Sequence, residues 1–258
     1  MSNSALVSFT HLSPNHSGKR KHTIDTVSIH CMAGNGTVET CGAIFADTSR
    51  KASSNYGIGS DGRIALYVDE ANRSWCTSSP ENDHRAITIE VANCGGAPDW
   101  PVSAKAYEAL IRLLVDICQR NPGIGHLRWQ GDKSLIGQVA KQNMTVHRWF
   151  AAKACPGNYL YNRHSAIAAE VNRRLNIQKE NEEDMDIDKM IAAMTPEQAY
   201  QIVRLAKLYT NDLPEPDWSR KEGNWERATT AGIIDGSAPE SPMKRDEVIA
   251  VLGRMNSL

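Results

Sequence analysis

The sequence lacks a surplus of charge of either sign, and it lacks any long apolar run. Its 258 residues carry a formal net charge of −1 at pH 7, so no basic surplus attracts the chain to nucleic acid or anionic lipid. No segment approaches the roughly 18 consecutive apolar residues of a membrane-spanning helix, and we expect no membrane insertion. Residues 1–22 lack the charged start and apolar run of a signal peptide. We therefore expect synthesis in the cytoplasm.

Closely spaced cysteine pairs are also missing. The six cysteines are scattered without a CxxC motif, at Cys31, Cys41, Cys76, Cys94, Cys118 and Cys155. A chain of this size does not need disulfides to stabilise its core. Each cysteine is by default a reduced, partly buried, small apolar residue. Cys155 is the exception, because of the residues around it.

Strand-like and helix-like segments alternate over residues 1–177. Apolar and polar residues alternate, as they do in strands, over residues 26–30, 63–68 and 86–91. Ser103 is expected to cap a helix whose apolar stripe contains Tyr107, Leu110, Ile111, Leu114 and Cys118. A later helix carries Leu160, His164, Ile167, Val171 and Leu175 on one face. The mixture predicts an α/β domain with a central mixed β-sheet flanked by helices.

The remainder of the chain is predicted to form a small separate module. Residues 178–186 are mostly charged and polar and are interpreted as a solvated linker. Residues 187–258 show helical spacing, beginning with a cap and first-turn proline at Thr195-Pro196. A unit of roughly 70 residues is near the lower limit for independent folding, so we expect it to be marginally stable alone or to self-associate.

Two histidines and a cysteine indicate a metal site. His30 ends a predicted strand, and His147 and Cys155 lie in one later segment. Imidazole and thiolate are ligands that Zn²⁺ prefers, and three protein ligands leave a fourth position open, as in catalytic sites. Spacing alone leaves the ordinary alternatives open, which are a hydrogen-bonded surface histidine and a packing cysteine.

Two segments resemble the type 2 N-acetylmuramoyl-L-alanine amidase family, which includes phage lysins and peptidoglycan recognition proteins. Residues 27–33 resemble its strand-to-histidine opening, and residues 147–157 resemble its histidine, seven-residue, cysteine-proline ending. The resemblance covers residues 1–177 and implies the amidase fold. It also implies zinc-dependent hydrolysis of the amide bond between N-acetylmuramic acid and L-alanine, with His30, His147 and Cys155 as zinc ligands.

The same resemblance implies three catalytic residues around the metal. Glu90 matches an acidic position used as general base, and Tyr56 and Lys153 match a tyrosine and a basic residue that stabilise the oxyanion. Gly57 stands where family members often have a histidine. Alternatives remain for each residue: a core tyrosine, a solvated lysine, and a glutamate paired with Arg85 or another cation.

Three further residues are candidates for substrate binding. Trp75 and Trp149 have flat apolar faces suited to stacking on sugar rings, and Trp149 is the better candidate because it lies two residues after His147. His84 precedes the strand that carries Glu90. Core packing remains the alternative for at least one tryptophan, and a surface position is the alternative for His84.

Part of the C-terminal module resembles an S-layer-homology repeat. The resemblance rests on residues 225–236 and 241–254, where an alanine-containing helix leads into Gly-Ile-Ile-Asp-Gly and a second helix follows. It implies binding to a cell-wall polymer. A helical dimerisation or stabilising appendage is the alternative.

Together these features predict a peptidoglycan hydrolase, and a phage or prophage endolysin that reaches the cell wall after release fits best. The alternatives are a bacterial autolysin with the same chemistry, a non-hydrolytic peptidoglycan-binding protein, and a zinc peptidase or deacetylase that acts on the same polymer. Cys155 favours hydrolysis, because family members that only bind peptidoglycan usually lack this ligand.

Overall fold

The computed structural model describes residues 2–176, together with residues 194, 195 and 198. The chain divides into two units, Met1–Gln178 and Lys179–Leu258. The predicted linker, and nearly all of the predicted module over residues 187–258 with its S-layer-like segment, lie outside the described residues. In the described part of the chain, no helix is long and apolar enough to cross a membrane.

The N-terminal unit contains short strands and helices in alternation. The strands are β1 (Phe9–Thr10), β2 (His16–Lys19), β3 (Thr26–Cys31), β4 (Tyr56–Ile58), β5 (Ile64–Leu66), β6 (Asn72–Ser74), β7 (Ala86–Val91) and β8 (Met144–Thr145). The α-helices are α1 (Val38–Ala46), α2 (Pro80–Arg85), α3 (Ala104–Arg120), α4 (Gly157–Tyr161) and α5 over residues 164–176. Short 3-10 helices cover Thr48–Arg50, Lys133–Leu135 and His147–Trp149.

A six-stranded mixed sheet forms the centre of this unit. Its strand order is β1-β5-β4-β7-β3-β8. β4 and β5 are antiparallel, and the other neighbouring pairs are parallel. β2 and β6 form a separate antiparallel pair. The predicted α/β class, with a central mixed sheet flanked by helices, is confirmed.

One face of the sheet packs against α3 and α5. Ile29 of β3 and Ile89 of β7 belong to the same buried cluster as Leu110 of α3 and Val171 of α5. The Ser103 hydroxyl caps α3 by accepting a hydrogen bond from the backbone N–H of Ala106 at 3.0 Å. Burial of these apolar side chains is the main favourable contribution to folding in this unit.

The opposite face carries α1 and a second, smaller core. Val38, Cys41 and Phe45 of α1 pack with Ala65 and Tyr67. Paired strand residues point to the same face of a sheet. Glu90 of β7 pairs with His30 of β3 and with Gly57 of β4, so these three positions face α1 rather than α3.

Candidate metal centre

His30, His147 and Glu90 come together because of strand register. His30 and Glu90 are partners near the carboxyl ends of parallel β3 and β7. On the other side of β3, Thr145 of β8 pairs with Ser28, so His147, two residues further on, reaches the level of His30. The carboxyl ends of neighbouring parallel strands therefore bring two ring nitrogens and a carboxylate to one edge of the sheet.

Cys155 completes a group of three nitrogen and sulfur donors. Its Sγ atom lies 3.3 Å from His30 Nδ1, and the His30 and His147 rings have centroids 5.1 Å apart. One donor atom from each residue lies within 4.8 Å of the other two. Zinc bonds are about 2.0–2.3 Å long, so a small contraction of this group suits one tetrahedral Zn²⁺ ion. The donor set fits the metal that the sequence predicts.

Ser28 selects the ring nitrogen that His30 offers to a metal. The Ser28 hydroxyl lies 3.1 Å from His30 Nε2 and 3.2 Å from the carbonyl oxygen of Thr145. Because the carbonyl can only accept, the hydroxyl proton goes to it, and His30 Nε2–H then donates to Ser28 Oγ. This arrangement leaves the lone pair on Nδ1, which faces Cys155. His30 is fully buried. Burial is the largest cause that holds its pKa well below 6.5, and the nearby His147 and His164 lower the pKa further.

His147 is held in a similar way and has a cation beside it. Its Nε2 atom lies 3.1 Å from the hydroxyl of Ser78. Partial burial lowers the pKa of His147, and the positive charge of Lys153 lowers it further. Lys153 is itself exposed. The structure thus places Lys153 close to the donor group with its ammonium free to face solvent.

Cys155 is held by the end of β3. The backbone N–H of Cys31 donates to Cys155 Sγ at 3.4 Å. A hydrogen bond with the Cys31 thiol, burial and the Glu90 carboxylate hold the pKa of Cys155 well above its usual value. A divalent cation reverses this preference, because its charge favours the thiolate.

Glu90 lies beside this group, and within residues 2–176 no lysine or arginine forms an ion pair with it. Its Oε1 atom is 3.9 Å from His30 Nδ1 and 3.9 Å from Cys76 Sγ. Its Oε2 atom is buried and has no hydrogen-bond partner among the described residues. Burial is the main cause that raises the pKa of Glu90 well above 4.5, and the nearby Cys31 thiol raises the pKa further. Arg85 instead binds Asp25 through two hydrogen bonds, so the alternative pairing of Glu90 with Arg85 is wrong.

Tyr56 is not brought to the metal ligands. It pairs with Ile89 rather than with Glu90, so its side chain points to the face of the sheet that packs against α3. Its hydroxyl donates to Glu70 and accepts from the backbone N–H of Ser4 at 2.9 Å. The role expected for Tyr56 as an oxyanion stabiliser is corrected on this geometry.

The candidate substrate residues lie in three different settings. Trp149 is 7% exposed, and its ring stacks on Trp129 with centroids 5.0 Å apart, so it is a core residue. Trp75 is half-buried, and its indole N–H donates to Ser17 at 2.7 Å. His84 lies in the last turn of α2 and accepts a hydrogen bond from the backbone N–H of Lys21 at 3.2 Å. About 13 Å of strand separates the start of β7 next to His84 from Glu90, so His84 is remote from the donor group.

Three residues near the site were missed by the sequence reasoning. Ser28 could have been found, because it lies two residues before His30 and so shares its face of the strand. Ser78 and Cys76 lie in the segment between β6 and α2, and no periodicity in that segment places them beside Glu90 or His147.

A buried carboxylate beside a nitrogen and sulfur donor set is typical of metal-dependent hydrolases. The model of the type 2 N-acetylmuramoyl-L-alanine amidase family matches residues 20–158, more than half of the chain. The chain therefore belongs to this amidase family. Its matched segment includes His30, Glu90, His147 and Cys155.

Solved structures are similar to part of this chain at low sequence identity. AmpD is 18% identical, with a TM-score of 0.48, covering 64% of this chain and 96% of AmpD. The catalytic domain of XlyA is 17% identical, with a TM-score of 0.42, covering 63% of this chain and 97% of that domain. Drosophila peptidoglycan recognition protein SD is 19% identical, with a TM-score of 0.43, covering 58% and 85%. No curated protein matches the sequence significantly.

Proposed function

We propose that this chain is a zinc-dependent hydrolase of the amide bond between N-acetylmuramic acid and L-alanine in peptidoglycan. The observation that carries the proposal is the convergence of His30, His147 and Cys155 on one point, with Glu90 beside it. Membership of the amidase family supports both the amide bond and peptidoglycan as substrate.

The three donors suit zinc, and the hydrolysis of an amide bond needs the chemistry that zinc supplies. An amide is a poor electrophile, and bound zinc would polarise its carbonyl and lower the pKa of a water to about 7. His30 offers Nδ1 because Ser28 holds Nε2. Cys155 would supply an anionic ligand. The three donors would then carry one negative charge against the two positive charges of a Zn²⁺ ion.

Glu90 is proposed to move the proton. Its carboxylate is close enough to the donor group to accept a proton from an attacking water and to deliver it to the leaving nitrogen. The raised pKa of this carboxyl favours the first of these two transfers, because it makes the carboxylate a stronger base toward the water proton.

Lys153 is proposed to stabilise the negative charge that develops on the carbonyl oxygen. Its positive charge lowers the pKa of His147, and the residue is exposed. A cation facing the developing oxyanion lowers the barrier of acyl-transfer reactions.

The biological setting is proposed from the sequence alone. We propose that residues 187–258 bind a cell-wall polymer, and that the protein is a phage or prophage endolysin. A bacterial autolysin would carry the same catalytic residues. These proposals concern residues that lie almost entirely outside the described part of the chain.

Digestion of purified cell walls tests the proposed bond specificity. We expect new L-alanine amino termini to appear with no increase in reducing sugar ends, and chelation of zinc to stop the reaction. New reducing ends would identify a glycosidase. Binding to walls without any new termini would identify a recognition protein and overturn the proposed hydrolysis.

A further inference from the structure

Cys76 lies beside the proposed proton acceptor and has no part in the proposed reaction. Its Sγ atom is 3.9 Å from Glu90 Oε1. Cys76 is a partly exposed residue, and the Glu90 side chain is 15% exposed. Both residues therefore keep some contact with solvent.

The backbone at Cys76 is anchored. The buried carboxylate of Asp83 accepts hydrogen bonds from the backbone N–H groups of Cys76 and Thr77, each at 3.1 Å, and from the Thr77 hydroxyl at 2.7 Å. These charge-assisted bonds hold the segment between β6 and α2 in one position. The thiol consequently stays on the Glu90 side of the sheet.

Cys76 and Glu90 form a second group of metal donors that adjoins the first. One donor atom each from Cys76, Glu90 and His30 lies within 4.8 Å of the other two. His30 has one ring nitrogen available, because Ser28 holds the other, so it can serve one ion at a time. Cys76 and Glu90 remain as the donors of a neighbouring position, and Glu90 Oε2 lacks a hydrogen-bond partner within residues 2–176.

We propose that Cys76 and Glu90 bind a second thiophilic divalent cation, Zn²⁺ or Cd²⁺, and that this second ion inhibits the enzyme. Binding replaces the thiol proton by a bond from the cation to sulfur, and the proton leaves to solvent. Two cations held in one site commonly lie about 3.5–4 Å apart. The inhibition rests on the proposed function, because it requires Glu90 to be the proton acceptor.

Zinc titration of the full-length protein gives the first test. Activity on cell walls should rise up to one equivalent of zinc and then fall as zinc is added in excess. In Cys76→Ala, inhibition should need more than about tenfold higher zinc, since losing a ligand costs at least as much as losing an outer-sphere partner, which is about 10- to 100-fold. Cys94→Ala, which removes an exposed cysteine, should be inhibited like the parent.

Cadmium titration of the metal-free protein gives a readout that does not depend on activity. Cadmium–thiolate bonds absorb in the ultraviolet, so the second equivalent should add absorbance in the parent and in Cys94→Ala but not in Cys76→Ala. Cys76→Ser keeps the shape of the side chain but lacks the soft sulfur ligand, so it should also lose the second-equivalent absorbance. It replaces Cys76→Ala in this test if the alanine variant folds poorly.

Two results would overturn the second ion site. One is equal zinc inhibition of the parent and the Cys76 variants, and the other is a second-equivalent absorbance that survives both Cys76 substitutions. If the Cys76-dependent absorbance appears but no amide is cleaved, the second ion site stands and the proposed function is wrong.

Discussion

At the scale of single residues, Glu90 is the position where stability and function conflict. A buried polar atom without a partner costs about 1–3 kcal/mol of folding free energy, and Glu90 Oε2 is such an atom among the described residues. Glutamine at this position would relieve the desolvation of a charge. A glutamate is useful there if its carboxylate acts on water and substrate.

Substitution Glu90→Gln should reduce turnover by about a hundredfold or more while zinc remains bound, because the amide cannot accept the proton. Steady-state hydrolysis of wall fragments and metal analysis of the same sample check this.

Tyr56→Phe should keep its turnover and lose about 1–3 kcal/mol of stability, because Glu70 loses a buried hydrogen bond. An inactive, zinc-loaded Tyr56→Phe together with an active Glu90→Gln would reverse the two assignments.

Ser28 is predicted to control metal affinity through His30. Substitution Ser28→Ala removes the acceptor that fixes the His30 tautomer, so zinc affinity should fall by about 10- to 100-fold. Competition with a coloured chelator measures the affinity. Ser54→Ala is the matched control, because Ser54 is equally buried but its hydroxyl donates to the backbone carbonyl of Tyr56. An equal loss of affinity in both variants would contradict the proposed role of Ser28.

At the scale of secondary-structure elements, β4 needs a glycine opposite Glu90. A Cβ atom on Gly57 would lie 2.3 Å from Cε2 of Tyr67. The Tyr67 hydroxyl donates to the carbonyl of Val38 at 2.7 Å, so the ring cannot easily move away. The Tyr67 ring therefore occupies the space next to the position where family members often have a histidine.

Gly57→Ala should consequently destabilise the protein by about 1–3 kcal/mol, the usual cost of overpacking a core. The free energy of unfolding in urea measures the effect. Gly96→Ala should be close to neutral, because an added Cβ there meets no atom within 4 Å. Similar losses in the two variants would show that glycine substitution itself, rather than the contact with Tyr67, is responsible.

The elements were largely predictable, and the contacts between them were less so. Apolar spacing predicted β3, β7, α3 and the buried face of α5. It did not predict that both faces of β3 and β7 are buried. The position of Tyr56 was not predictable, because the face it occupies depends on the register between β4 and β7. The burial of Trp149 depends on its stacking with Trp129, a contact between segments 20 residues apart in sequence.

At the scale of the whole molecule, the chain divides near residue 178. All residues proposed for catalysis lie before this point. A protein truncated after residue 177 should therefore fold and hydrolyse soluble wall fragments at the parental rate. It should bind intact cells less well, because a wall-binding tail would raise the effective concentration at the substrate. Equal binding of intact cells by both proteins would make the tail an appendage without that role.

We propose above that a zinc ion on His30, His147 and Cys155 drives cleavage of the bond to L-alanine. The most direct measurement adds zinc to metal-free, full-length protein and counts new L-alanine amino termini released from cell walls. We expect their rate of release to rise with bound zinc up to about one zinc per chain. His147→Ala should stay inactive throughout. Release of these termini at full rate by zinc-free protein would show that cleavage does not depend on the ion.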